Sequence, residues 1–338
     1  MNKLKGIHHL TAITSSAERI YEFFTYILGL RLVKKTVNQD DINTYHLFFA
    51  DDVGSPGTDV TFFDFQGIDR NKKGSDEISR IGLRVKDNNA IAYWEKRLKY
   101  YKIEFKGPLD VFGRKAIFFE DFDSQEYAIF SDEGISGVPG GIPWKKGPVP
   151  DEFAIIGLGP IFMRINNIER MKTTLTQYMG MTYQGSSNKY HLFEMGQGGN
   201  GASVILEESN LPRSWQGYGG VHHVAFRIED KKELDQWIRH LDDIGARHSG
   251  FVDRFYFKSL YTRLYPNILF EFATEGPGFI DDQEDYEILG ETLALPPKFR
   301  NHKEQIEKLV RPINTVRSKI DFKKEYFNEW TKNNYRLI

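Results

Sequence analysis

The chain has 338 residues, 40% hydrophobic and 27% charged, with a net charge of −2. This is a globular balance with room for about two domains, and it gives no electrostatic case for nucleic acid or an anionic membrane as partner. Cysteine is absent, which excludes a disulfide scaffold, a thiolate zinc site and a cysteine nucleophile, so any metal must be held by His, Asp or Glu.

In chain order, the first residues run straight into a strand, Gly6–Ile13, with no apolar leader. No apolar run reaches the roughly 20 residues of a membrane span, so a cytoplasmic protein is expected. Ser15-Ser16-Ala17-Glu18 then fits a capping box. Ile20, Phe23, Phe24 and Ile27 form the stripe of an amphipathic helix. Strand-like runs follow at Tyr45–Ala50 and Asp59–Phe65, separated by Gly and Pro. The same order returns three times. Ser79–Val85 leads to a helix with Ile91, Trp94 and Leu98, then to strands at Lys115–Glu120 and Tyr127–Ser131. Gly157–Met163 leads to Ile168, Met171, Leu175 and Tyr178, then to Tyr190–Glu194 and Ser203–Glu207. Gly220–Phe226 leads to Leu234, Trp237, Ile238 and Leu241, with Asp230 near the helix start, then to Phe255–Leu264 and Ile268–Phe272.

The sequence therefore reads as four βαβββ modules at about 4–65, 77–131, 153–208 and 219–273. The expected fold is α+β, with two cupped mixed β-sheet domains. The expected division is an N-terminal domain at 1–135, a C-terminal domain at 151–275 and an extension at 276–338. Between the halves, residues 134–150 hold four prolines and five glycines, a linker composition. The extension breaks at Leu295-Pro296-Pro297 and then carries a charged helical pattern to about 310, suited to packing over a domain edge or a partner subunit.

The repeats serve as an internal control. The first module carries His8-His9 in its opening strand and the fourth carries His222-His223 at the same place. The third has Gly159-Pro160 there, and the second has Arg80. The fold does not need histidine at this position, so the retained histidines have another role. Strand alternation places the members of each pair on opposite faces, leaving one ligand per pair. Glu271 lies in the apolar strand Ile268-Leu269-Phe270-Glu271-Phe272, where a carboxylate is costly unless paired or metal-bound. His9, His223 and Glu271 form the two-histidine, one-carboxylate set typical of non-haem Fe(II) enzymes, although the donors also suit Mn(II) and Zn(II). Ligands from the first and fourth modules require those modules to share one sheet, with the second and third forming a metal-free half. Glu207 occupies a similar strand position without a histidine in its module and is read as a decoy.

This pattern resembles the vicinal oxygen chelate superfamily, also called the glyoxalase/extradiol dioxygenase fold, and within it the hydroquinone-type ring-cleaving dioxygenases. The resemblance covers about residues 4–280. It implies that His9, His223 and Glu271 bind Fe(II), with Mn(II) as the alternative, and that a small aromatic diol is cleaved with O₂. It also implies catalytic roles for His8, Thr11, His222, Arg254 and Tyr261. His8 and His222 would move protons, Tyr261 would donate a hydrogen bond to an oxygen intermediate, and Arg254 would stabilise anionic charge. Tyr45–Asp51 and Gly54–Thr58 also match, and are read as structural. A homo-oligomer is expected, without nucleic acid or membrane. Two other readings stay open. One is a glyoxalase-like lyase or isomerase, which would want a second carboxylate ligand that the matching strand Asp59–Phe63 does not offer. The other is a metal-free protein that sequesters an aromatic ligand.

Overall fold

The computed structural model describes residues 3–281 and 283–327. The first module comprises β1 (Ile7–Ile13), α1 (Ala17–Glu22), β2 (Arg31–Val37), β3 (Tyr45–Ala50) and β4 (Asp59–Phe63). The second comprises β5 (Glu77–Val85), α2 (Asn88–Tyr100), β6 (Phe105–Val111), β7 (Arg114–Glu120) and β8 (Glu126–Ser131). The third comprises β9 (Ile155–Leu158), β10 (Ile161–Ile165), α3 (Ile168–Thr173), β11 (Thr182–Ser187), β12 (Tyr190–Glu194) and β13 (Ser203–Glu208). The fourth comprises β14 (Gly220–Ile228), α4 (Lys231–Asp243), β15 (Val252–Asp253), β16 (Lys258–Leu264) and β17 (Ile268–Thr274).

Local chemistry starts the helices where the sequence places them. Ser16, Asp87, Asn167 and Asp230 each accept a backbone N–H from the residue three positions on, satisfying a donor that a helix start leaves free. The cap of α1 is Ser16 alone, with Arg19 where a capping box would need Glu or Gln. The helices of the first and third modules end alike. Leu28 N–H donates to the Phe23 carbonyl at 2.9 Å, and Met179 N–H to that of Thr174 at 3.1 Å.

Two mixed sheets result. The first has the order β15-β16-β17-β14-β1-β4-β3-β2, from the fourth and first modules. The second has the order β11-β12-β13-β10-β5-β8-β7-β6, from the third and second, with β9 also on β5. Each sheet thus takes one module from each half of the chain. At the centre of the first, β1 runs antiparallel to β14, and each has its own module's last strand parallel beside it, β4 and β17.

Ile20, Phe24, Trp94, Met171, Leu175 and Trp237 join strand residues such as Leu10, Val60, Phe62 and Phe226 in one main core. Inside the first cup lies a separate cluster of Val33, Phe48, Ala225, Tyr256, Phe257 and Phe279. The second cup is filled by Phe130, Phe162, Leu192 and Ile205. There Arg80 lies over the rings of Phe118 and Phe162, at 5.1 and 4.8 Å, and pairs with Glu126 at 2.9 Å. Packing thus occupies the position that histidine holds in the first sheet. Glu207, on β13 of this second sheet, is neutralised by Lys189 at 2.7 Å.

The tail crosses the edge of the first sheet. Ala294 N–H donates to the Lys35 carbonyl on β2 at 3.0 Å, and the buried Arg317 donates to the carbonyls of Leu32 and Leu289, each at 2.6 Å. Its helix, α5, spans Lys303–Leu309. Among the described residues no helix is long and apolar enough to cross a membrane.

Candidate metal centre

His9 comes from β1, His223 from β14 and Glu271 from β17. One donor atom of each lies within 4.8 Å of the others, and all three residues are buried. Glu271 Oε2 is 3.1 Å from His9 Nε2 and 2.9 Å from His223 Nε2. Neither contact has hydrogen-bond alignment, and Oε2 has no hydrogen-bond partner. The other oxygen, Oε1, accepts from Ser259 Oγ at 2.5 Å.

The partner histidines explain this geometry. His8 is an extra residue at a β-bulge, because Ile7 pairs with Phe226 while His9 pairs with Ala225. His222 is extra at a second bulge, between Thr11↔His223 and Ala12↔Val221. A bulge breaks strand alternation. The expectation that each pair splits across opposite faces is therefore corrected: Nδ1 of His8 meets Nδ1 of His9 at 2.9 Å, and Nδ1 of His222 meets Nδ1 of His223 at 2.8 Å.

His8 Nε2 faces the Thr274 carbonyl at 3.0 Å. A carbonyl only accepts, so Nε2 of His8 carries the hydrogen. Burial, with the neighbouring His9 adding, lowers the His8 pKa to about 3, so the ring is neutral and its Nδ1 is bare. His9 Nδ1 must then donate, which leaves a lone pair on His9 Nε2 facing the Glu271 carboxylate. Burial opposes charge on Glu271, and positive charge at the His9 and His223 positions holds its carboxyl well below the usual range; with His9 neutral, that charge has to come from a cation among the three donors. A lone pair and an anionic oxygen 3.1 Å apart repel unless a cation lies between them. The donor set, the burial and the unpartnered oxygen therefore fit a divalent ion.

Other predicted residues gather round this point. Thr11 Oγ1 is 3.1 Å from His223 Nε2. The Tyr261 ring stands edge-on to that of His223, with centroids 5.9 Å apart. Its phenol oxygen accepts from Arg254 Nε at 3.1 Å, and Asp40 holds the other end of the guanidinium at 2.9 Å. Burial pushes the Tyr261 phenol up, so it keeps its proton. His222 is partly buried. Its pKa is lowered to about 3 by burial and by His223, and its ring stands edge-on to Phe63 at 5.5 Å. Phe257 lies against both His8 and His9. A broad open groove of about 830 Å³, lined by Arg19, Phe23, Arg80 and Phe118, lies away from these residues.

Sequence reasoning missed two members of the cup. Two residues beyond its ligand histidine, β14 places Ala225 beside Glu271, while β1 places Thr11 beside Thr61. Thr61 is therefore the positional mate of Glu271, where a fourth ligand would stand. Asp59 also begins this strand, but it stands level with His9 and is not in the donor cluster. His46, read as structural, bonds through Nε2 to Thr61 Oγ1 at 2.9 Å. Module alignment could have flagged Thr61. Nothing in the local sequence around His46 pointed inward.

Fold and donor set define a protein of the glyoxalase fold with a two-histidine, one-carboxylate cluster. Residues 6–129 match the Glyoxalase/Bleomycin resistance protein/Dioxygenase superfamily. Glyoxalase I of Zea mays shares the fold at a TM-score of 0.57 and 14% identity, over 80% of this chain and 92% of that one. A Bacillus subtilis structure bearing a dioxygenase name superimposes at a TM-score of 0.86 with 32% identity, over 94% of this chain and 99% of its own. The chain is 40% identical to a B. subtilis protein carrying the name ring-cleaving dioxygenase MhqA, over 92% of this chain and 99% of the relative. It is 30% identical to the chlorohydroquinone/hydroquinone 1,2-dioxygenase of Sphingobium indicum, over 92% and 97%. The chain belongs to the ring-cleaving dioxygenases of this superfamily, enzymes that incorporate O₂ and whose fold family implies a divalent metal.

Proposed function

We propose that this enzyme uses Fe(II), held by His9, His223 and Glu271, to cleave a hydroquinone ring with O₂. The observation that carries the reading is the three-donor set with Thr61, not a carboxylate, at the fourth position. Three protein ligands suit a site shared with a diol and O₂, whereas a lyase of the glyoxalase type would want the second carboxylate. The hydroquinone enzyme of S. indicum, similar over 92% of this chain, supports the substrate class. When bound, the metal would supply Lewis acidity toward the diol and a route for electrons between substrate and O₂.

The chain's own residues do the rest. His8 fixes the tautomer that leaves His9 Nε2 free as a donor atom. Ser259 orients Glu271 through Oε1. Tyr261, steadied by Arg254, offers a hydroxyl proton to an oxygen atom in the cup, and the guanidinium adds positive charge where the substrate becomes anionic. His222, at the partly open side, orients His223 through its Nδ1. Phe63 and Phe257 narrow the cup around an aromatic ring and exclude water.

The test is oxygen uptake by protein reconstituted anaerobically with Fe(II), comparing a hydroquinone, a catechol and no substrate. One O₂ consumed per hydroquinone opened, and none with His9→Ala, is the expected result. No uptake with any diol at full iron occupancy would overturn the proposal. Reconstitution with Mn(II) in parallel decides the metal.

A further inference from the structure

The Thr61 hydroxyl holds two partners inside the cup: Thr11 Oγ1 at 2.8 Å and His46 Nε2 at 2.9 Å. Thr11 Oγ1 in turn lies 3.1 Å from the ligand nitrogen of His223. An unbroken file of polar atoms thus runs from the ligand cluster through two hydroxyls to an imidazole. The threonines are fully buried, while His46 is only partly so, its ring held between those of Phe48 and Phe63 at 4.0 and 4.4 Å. The second sheet lacks this file: Phe162 replaces Thr11 in the matching cross-strand pair, opposite Arg80.

We propose that Thr11, Thr61 and His46 form a proton relay serving the substrate hydroxyl that enters the ligand cluster. This rests on the diol reading given above and adds residues to it. A hydroxyl has one hydrogen and two lone pairs, so the file has two consistent orientations. In one, the substrate O–H donates to Thr11, Thr11 to Thr61 and Thr61 to His46 Nε2. In the other, every bond is reversed. The two differ by one proton carried across: the substrate oxygen becomes a phenolate and His46 an imidazolium. The imidazolium then releases its Nδ1 proton. Burial lowers the His46 pKa well below the usual imidazole value, so the ring is neutral at rest with Nε2 ready as the acceptor, and the imidazolium it forms is a short-lived state that must pass its proton on. Thr61 thereby has a use for the position that mirrors Glu271: it conducts a proton instead of occupying a coordination site. Thr61 and His46 act through Thr11 and are positioning residues of the relay.

The experiment uses the metal-loaded full chain under anaerobic conditions and nitrohydroquinone, whose colour reports its ionisation. Stopped-flow mixing follows the appearance of the bound anion in wild type, Thr61→Val, Thr61→Ser and His46→Gln, without turnover. Thr61→Val should slow ionisation roughly 10²-fold, the usual scale of a lost proton-transfer group, and His46→Gln should slow it similarly. The double variant should be no slower than either, because both cut one path. Thr61→Ser should return to within a few-fold of wild type. Chelator competition should give the same metal affinity for Thr61→Val as for wild type, showing an intact site. An unchanged ionisation rate in Thr61→Val, a multiplied effect in the double variant, or lost metal affinity in Thr61→Val would each overturn the relay and leave the dioxygenase reading standing. A wild-type protein that binds metal but never ionises the probe would remove both.

Discussion

Replacing His8 with leucine tests how the metal centre is prepared. His8 touches no metal donor atom directly, yet its Nδ1 is the acceptor for His9 Nδ1–H and its Nε2–H satisfies the Thr274 carbonyl. Leucine fills most of the space against Phe257 but removes both bonds. His9 then has no fixed tautomer, and its buried Nδ1–H has no acceptor. Loss of such an orienting partner costs a metal site about 10- to 100-fold in affinity, which is about 1.4 to 2.7 kcal/mol. A newly orphaned buried donor costs about 1–3 kcal/mol, so two independent routes agree on scale. The assay is competition for Mn(II) or anaerobic Fe(II) against a chromophoric chelator, alongside thermal unfolding of the metal-free chain. His222→Leu is the internal comparison. Because His222 is partly open, water can replace it on His223 Nδ1, and the affinity loss should stay below about tenfold. If His8→Leu bound metal as tightly as wild type, the tautomer argument would fall, and with it the reason for a histidine at the first bulge.

Three further outcomes follow from the geometry. Tyr261→Phe should lower turnover about 10²-fold with full metal occupancy, the scale of one lost hydrogen-bond donor to developing charge; equal turnover at equal metal content would refute the role. Asp59 is buried with no protein partner on either oxygen, and burial, with Asp51 adding, raises its pKa well above the ordinary value. A raised acid binds its proton more tightly when folded, so wild type loses stability as pH climbs from the unfolded pKa of about 4 toward the folded one. In the metal-free chain, the melting temperature of Asp59→Asn should gain on wild type from pH 4 to pH 8, and a constant difference would contradict this. Lys34 and Glu284 pair at 2.9 Å with both side chains fully buried, tying the tail to β2. Glu284→Leu should cost about 3 kcal/mol in urea unfolding, the low end for a broken buried pair, because Asp281 still faces the ammonium at 3.5 Å. Adding Lys34→Met should recover most of that loss, and a double variant as unstable as the single would argue against the pair.

Much of this protein was legible in the chain itself. Apolar spacing of 3.6 and 2 marked the four modules, because a helix stripe and a strand face must each be buried whatever the final topology. Comparing modules singled out His9 and His223, since Pro160 and Arg80 stand at the same place in the other two copies. Glu271 was visible as a charge with no business in an apolar strand. What only the tertiary structure decided was the side on which adjacent residues meet. Two β-bulges, set by the β1–β14 register, bring His8 onto His9 and His222 onto His223, against the alternation that sequence alone implies. Register also brought Thr61 to the mirror position of Glu271 and hung His46 from it. A strand's own sequence fixes its buried face, but which residue it stands beside depends on a partner strand that can come from the far end of the chain.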